Sequence, residues 1–364
     1  MGLSIGIVGL PNVGKSTLFN AMTRAGALVA NYPFATIEPN TGIVEVPDER
    51  LQALSDLFKP PRTIPATVTF VDIAGLVKGA SEGEGLGNQF LAQIRECDAI
   101  AMVVRCFEDA NVTHVGGRLD PAGDIATVDY ELMLADIETV RRRKERTAKA
   151  ARQQKQAQAE LEVLEKVEHG LDQAVPARRL GLSEEERGLV RELSLLTLKP
   201  VIYVANVAES DAGRTEGAGL DEIAVVAASE GAAWLPISAR IEAELQDIEP
   251  VDRAEFLSSL GLQESGLGRL ARQAYSVLGL ITFLTAGETE CRAWTIRRGT
   301  RAPQAAGTIH GDFERGFIKA EVIGWKELVD AGGWAQARAA GKLRIEGKEY
   351  VFQDGDTTVF RFNV

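Results

Sequence analysis

Cysteine is the first scarcity. Cys97, Cys106 and Cys291 are the three in a chain of 364 residues, too few and too scattered for a disulfide framework or a zinc site. Thiols left unpaired in this way suit a reducing compartment, so a cytoplasmic location is expected. A surplus of positive charge is also missing. Forty Lys and Arg face 52 Asp and Glu, a net charge of −12, which argues against a protein that simply coats nucleic acid while leaving room for a local basic patch. The N-terminal apolar run Leu3–Val8 is far too short to span a bilayer. No basic region precedes it and no small-residue cleavage site follows, so it reads as a buried strand and no membrane partner is expected. Repeats and low-complexity tails are absent too. What remains, 45% hydrophobic and 25% charged residues, is ordinary for a soluble globular protein, and the length calls for two or three domains.

Short apolar runs alternating with amphipathic segments predict an α/β parallel sheet. The expected core strands are Leu3–Val8, Val68–Val71, Ala99–Val104 and Pro200–Ala205, with a shorter one at Ala233–Ile237. From about Asp124 to His169 glycine and proline nearly vanish, and Tyr130, Met133, Leu134, Ile137 and Val140 follow the spacing of one helix face. Leu161, Leu164 and Val167 resume that face after a middle rich in Ala, Gln and Lys, a good helix former. A second helix is expected from Ser183, a cap with Glu186 three residues on, to about Leu196. Residues 124–197 thus read as a helical hairpin, a coiled-coil-like arm, inserted into a nucleotide-binding domain of residues 1–123 and 198–279. Residues 280–364 read as a compact α+β module with strands at Ile281–Thr285, Arg292–Ile296, Ile318–Val322, Tyr350–Phe352 and Thr358–Phe362.

Gly9-Leu10-Pro11-Asn12-Val13-Gly14-Lys15-Ser16 fits G-x-x-x-x-G-K-[ST] between a strand and a helix. Its glycines let backbone N–H groups turn toward phosphates, and the next helix points its positive end at them. Asn12, Val13, Gly14, Lys15, Ser16 and Thr17 are therefore the expected phosphate contacts, with Lys15 on the β and γ phosphates and Ser16 on Mg²⁺. Asp72-Ile73-Ala74-Gly75 closes the strand Val68–Val71. The Asp can hold Mg²⁺ through water, and the Gly75 N–H can meet the γ-phosphate. Four more glycines between Gly79 and Gly87 suit a switch that orders around a triphosphate. Between the two motifs, Asn31–Asn40 offers Thr36 as a further hydroxyl for Mg²⁺.

The base is read next. After the strand Val201–Ala205 comes Asn206-Val207-Ala208-Glu209, where guanine-specific proteins carry Asn-Lys-x-Asp. Val207 stands for the Lys that packs on the base, and Glu209 is one methylene longer than the Asp that accepts guanine's N–H groups. Such a site is poorly made for guanine, and a polar pocket discriminates steeply against mismatched partners. Ser238-Ala239 fits the last base-facing loop.

These motifs, with the segment Ala293–Ile296 to Phe313–Phe317, resemble those of the Obg-like ATPases of the YchF type, within the translation-factor-related P-loop GTPases. The likeness covers essentially the whole chain, and residues 280–364 resemble a TGS domain. It implies ATP preferred over GTP, slow hydrolysis, Mg²⁺ dependence and association with ribosomes. Leu76 occupies the position where related hydrolases place a water-orienting Gln, so turnover is slow or another group assists. Asn12 matches relatives that bind K⁺ beside the phosphates. His114, in the polar loop 108–117, is the candidate for positioning water, against the plain alternative of a solvated histidine. Some relatives have a cysteine beside the switch threonine; here it is Ala35. The basic run Arg141–Lys144 on the arm, and Arg292, Arg297, Arg298, Arg301, Arg315 and Lys319 in the last module, are solvated faces or contacts to ribosomal RNA. Two rival readings stay open: a ribosome-assembly GTPase with a tolerant base site, and a nucleotide-gated scaffold whose hydrolysis is incidental.

Overall fold

The computed structural model describes residues 3–29, 40–73, 86–108, 119–152, 154–217 and 219–363. Two compact units divide the chain. One holds Met1–Ala27, Ile37–Gly42 and Thr69–Arg269, the other Leu28–Thr36, Ile43–Val68 and Leu270–Val364. Segment 43–68 thus belongs with the C-terminal residues although it lies in sequence between the phosphate loop and Asp72. In chain order the strands are β1 (Ser4–Val8), β2 (Thr41–Glu45), β3 (Thr63–Ile64), β4 (Thr67–Asp72), β5 (Ala99–Cys106), β6 (Val201–Val207), β7 (Ala233–Ile237), β8 (Leu280–Ala286), β9 (Cys291–Arg297), β10 (Phe317–Gly324), β11 (Arg344–Glu346) and β12 (Asp356–Phe362).

The first sheet has the order β2-β4-β1-β5-β6-β7. From β4 through β7 its pairings are parallel, with Ile7 opposite both Asp72 and Ala101, and Val204 opposite Leu235. β6 is buried along its whole length, and β5 up to its last residue. Strands covered on both faces lose the in-out alternation and read as unbroken apolar runs, which is why they stand out in the sequence. β1 lies between β4 and β5, so the direction of strand succession reverses beside it. In parallel sheets of this kind, ligands sit beyond the carboxyl ends of the strands at such a reversal.

The inserted hairpin differs from the expected one. Its first helix, Pro121–Ala150, begins with Pro at the first turn and with the Asp120 carboxylate accepting from the Gly123 N–H at 3.0 Å. It ends within the Ala/Gln/Lys-rich stretch, and a second helix, Lys155–Asp172, returns against it. Good local helix propensity did not carry the chain straight through, because doubling back buries Met133, Val140, Val163, Leu164, Val167 and Leu171 in one core. Tyr130, read as part of the buried stripe, is 54% exposed. The cap at Ser183 is present as a reciprocal box with Glu186, but the helix it opens ends at Val190, followed by a short 3₁₀ turn.

The second unit holds a sheet of order β11-β10-β12-β8-β9-β3. Phe283, Phe352 and Phe360 form its aromatic centre, with ring centroids 5.2 and 5.8 Å from Phe283. Tyr350–Phe352, expected as a strand, is irregular backbone with one isolated bridge from Val351 to Arg301; Phe352 is buried by this aromatic packing and not by a ladder. Among the described residues no helix is long and apolar enough to cross a membrane.

Candidate nucleotide site

The phosphate loop is set by two glycines that no other residue can replace without displacement. Gly9 has φ 156° and a methyl there would lie 2.5 Å from the Val103 carbonyl oxygen; Gly14 has φ 91° and a methyl would lie 2.1 Å from Asn206 Nδ2. A left-handed backbone and close approach together demand glycine. The helix Lys15–Val29 opens directly after the loop with no acid in its first turn, leaving unpaired N–H groups and the positive end of the dipole beside the loop. Lys15 is 8% exposed. Burial pushes its ammonium below the ordinary lysine range, and the Asp72 carboxylate partly offsets that. Asp72 ends β4, and its N–H donates to the Asn40 carbonyl at 2.9 Å. Ser16 and Thr17 are exposed on the first helical turn, and Asn12 is exposed in the left-handed region at φ 62 to 63° shared with Asn40.

At the carboxyl end of β6, Asn206 is 5% exposed and both ends of its amide are used. Nδ2 donates to the Val13 carbonyl at 2.8 Å, and Oδ1 accepts from the Ala239 N–H at 3.0 Å. One side chain thus ties the phosphate loop to the loop after β7. Glu209 lies 2.5 Å from Arg240 Nε, which is also 3.4 Å from Glu244. The Ser238 hydroxyl is buried and has no hydrogen-bond partner among the described residues. These residues line a cleft of about 920 Å³ that also takes in Asn12, Gly14, Lys15, Ser16, Thr17, Val207 and Ala239, a size suited to a small organic ligand. An orphaned hydroxyl in its wall is a polar group for such a ligand to satisfy.

Val13 and Val207 are buried at 2% and 3% exposure; Val207 is among the lining residues and Val13 is not. Thr36, Gly75 and His114 lie outside the described residues, as do Ala35 and Leu76. Sequence reasoning overlooked four lining residues: Phe107, Glu108, Ser210 and Arg240. Phe107 and Glu108 follow the carboxyl end of β5, where the strand-end rule would have found them, and Arg240 directly follows Ser238-Ala239. Arg105 donates from Nε to the Phe107 carbonyl at 3.0 Å, and its guanidinium lies 4.6 Å from the Phe107 ring centroid. Arg95 is drawn to the arm, donating to Thr139 Oγ1 at 2.9 Å and to the Leu193 carbonyl at 3.3 Å. Burial, then Asp124 and Glu222, push the Cys106 thiol up to about 12, as befits a core residue.

Among the described residues no group of three or more His, Cys, Asp or Glu could hold a metal ion by itself. Mg²⁺ needs no such group, because it binds through one or two protein oxygens and completes its shell with water and substrate phosphates. Ser16, beside Lys15 in the chain, and Asp72, whose charge acts on the Lys15 ammonium, offer oxygens of that kind.

A strand-loop-helix phosphate cradle, a carboxylate at the end of the neighbouring strand and a base-sized cleft beyond β6 and β7 define a P-loop nucleotide hydrolase of the GTPase fold. Comparison with known proteins narrows this. Residues 4–139 match the family described as 50S ribosome-binding GTPase, and residues 280–363 match the YchF-GTPase C-terminal family, described as a protein of unknown function. The chain is 54% identical over 366 residues to the ribosome-binding ATPase YchF of Bacillus subtilis, and 53% identical over 365 to that of Escherichia coli O157:H7, with 100% of both chains covered in each case. The structure of the Schizosaccharomyces pombe YchF GTPase matches with a TM-score of 0.89 at 41% identity, over 99% of this chain and 98% of that one. The chain belongs to the YchF family.

Proposed function

We propose that this protein is a cytoplasmic, Mg²⁺-dependent ATP hydrolase, weaker on GTP, whose nucleotide state governs binding to the ribosome. In this reading residues 1–123 and 198–279 bind nucleotide, 124–197 form the arm and 280–364 a TGS-like module. The observation that carries the base preference is the Glu209–Arg240 pair at 2.5 Å. In a guanine site the carboxylate must accept from the base; here it already accepts from a guanidinium, which has only donors to offer. Adenine presents an acceptor at its ring nitrogen and lacks guanine's exocyclic amine, so a donor-rich edge beside Val207 favours it. Ser238 adds a hydroxyl in want of a partner. The relatives named above as ribosome-binding ATPases support both halves of the reading.

The chemistry follows from the cradle. Lys15 and the loop N–H groups would neutralise the β and γ phosphates, and the Ser16 and Thr36 hydroxyls with the Asp72 carboxylate would hold Mg²⁺, which would supply charge neutralisation to the triphosphate. The Gly75 N–H would meet the γ-phosphate and His114 would position the attacking water, with K⁺ held by Asn12 as the alternative source of transition-state charge. Titrating the purified protein with ATP and GTP tests the base reading; tighter GTP binding overturns it. Turnover of His114→Ala, and of wild type with Na⁺ in place of K⁺, tests the catalytic assignments. If neither change slows hydrolysis, both assignments fall, and the nucleotide-gated scaffold gains.

A further inference from the structure

The structure sorts the arm's positive charges into two populations. In the stem each is neutralised at home. Arg141 pairs with Glu168 at 2.8 Å and Asp172 at 3.0 Å, Arg143 with Glu160 at 2.6 Å, Lys144 with Glu168 at 2.5 Å, and Arg142 with Glu138. This removes the run Arg141–Lys144 as a free polyanion contact. At the tip, Arg146, Lys149, Arg152 and Lys155 are all exposed, and none has an ion-pair or hydrogen-bond partner among the described residues. Arg146 and Lys149 share a face of the first helix near its end, Arg152 lies in the turn, and Lys155 opens the second helix. No acid stands in the first turn of that helix, where a carboxylate would stabilise the helix and a cation opposes its dipole. Local stability therefore does not explain Lys155.

We propose that this tip is a docking point for the phosphate backbone of ribosomal RNA, read through Arg146, Lys149, Arg152 and Lys155; the proposal rests on the ribosome reading above. Composition selects the partner. Residues 146–159 contain only Arg, Lys, Thr, Ala and Gln. They offer no Trp, Tyr or large aliphatic anchor of the kind that dominates protein–protein hot spots, and no apolar face to enter a lipid headgroup layer. With no aromatic to stack on a base, recognition is of phosphate and sugar and is indifferent to sequence. Four cations with no acid between them also give a local positive field on a chain of net charge −12, effective within about one Debye length of roughly 8 Å.

The test is the salt dependence of ribosome binding by the full chain, followed by co-sedimentation with purified ribosomes in ATP-analogue and ADP buffers. Each cation that displaces a counterion contributes about 0.7–0.9 to the slope of log affinity against log salt. The quadruple variant R146Q/K149Q/R152Q/K155Q is expected to lose about three from that slope, with ATPase rate and thermal midpoint unchanged. Single variants such as R152Q lose about one quarter of it and serve where the quadruple variant is poorly made, while K149R/K155R keeps the slope. Protein-free ribosomal RNA is expected to compete with ribosomes for the wild type. An unchanged slope in the variants, with ribosome binding intact, overturns the tip alone. Slope loss without competition by naked RNA shows an acidic protein partner and overturns the RNA assignment. Wild type that never sediments with ribosomes overturns the ribosome reading and this inference together.

Discussion

Replacing Asn206 with Ala separates a residue that touches nucleotide from one that builds the place where nucleotide binds. The amide joins two loops otherwise remote in sequence, holding the Val13 carbonyl at 2.8 Å and the Ala239 N–H at 3.0 Å in a buried position. Each bond contributes about 0.5–1.5 kcal/mol net, and a buried group left without a partner costs about 1–3 kcal/mol. Water entering the cleft relieves part of that cost, so a total of roughly 2–4 kcal/mol is expected from these two contacts. Since Ala239 lines the cleft and Val13 belongs to the phosphate loop, half or more of the loss should appear as weaker binding, at least about fivefold for ATP and GTP alike. The remainder lowers apo stability. Isothermal titration with Mg²⁺-ATP and Mg²⁺-GTP, alongside thermal unfolding with and without nucleotide, reads both parts. Asn206→Asp keeps the acceptor for Ala239 but faces a carboxylate toward the Val13 carbonyl, so it should bind no better than the Ala variant. Wild-type affinity for both nucleotides and an unchanged midpoint in Asn206→Ala would refute the tie.

Gly14→Ala should abolish measurable nucleotide binding, because its methyl would lie 2.1 Å from Asn206 Nδ2 at φ 91°; normal binding by equilibrium titration contradicts the loop geometry. Lys15 gives a pH signature. Burial lowers its native value, so between that value and the ordinary lysine range the unfolded chain binds more protons than the native one, and apo stability rises with pH through that window. Phosphate binding needs the ammonium and weakens over the same window; a fluorescent-nucleotide titration across alkaline pH checks the opposite trends. Arg178 is 8% exposed by side chain and lies 2.5 Å from Asp129 and 2.7 Å from Glu230, which also accepts from the Tyr203 hydroxyl at 2.7 Å. Arg178→Ala strands two buried carboxylates and should cost about 3–5 kcal/mol in denaturant unfolding, partly recovered by adding Asp129→Asn. Val207→Lys with Glu209→Asp rebuilds the guanine pattern and should shift the ATP:GTP affinity ratio toward GTP; an unmoved ratio would tell against the base reading.

Much of the fold was legible in the residues. The loop Gly9–Ser16 and the strands β1, β5 and β6 are local patterns whose meaning does not depend on distant partners: a left-handed glycine, an unbroken apolar run. The capping box at Ser183 is equally local. The candidate site was legible where its residues sit at strand ends after recognisable runs, and illegible where a side chain acts across the sheet. Asn206 reads in sequence as a base contact; only the folded chain reveals that both ends of its amide are taken by Val13 and Ala239.

Sequence alone therefore determined the phosphate cradle, the parallel sheet and the existence of a helical arm, because each is written in spacing and conformational preference over a few residues. Tertiary structure decided where the arm turns back, that Phe352 is held by rings in place of a ladder, that β3 joins the C-terminal sheet, and which positive charges are already spent on carboxylates. Those outcomes depend on what lies opposite, and burial and pairing energies are properties of two surfaces meeting, which one strand of text does not contain.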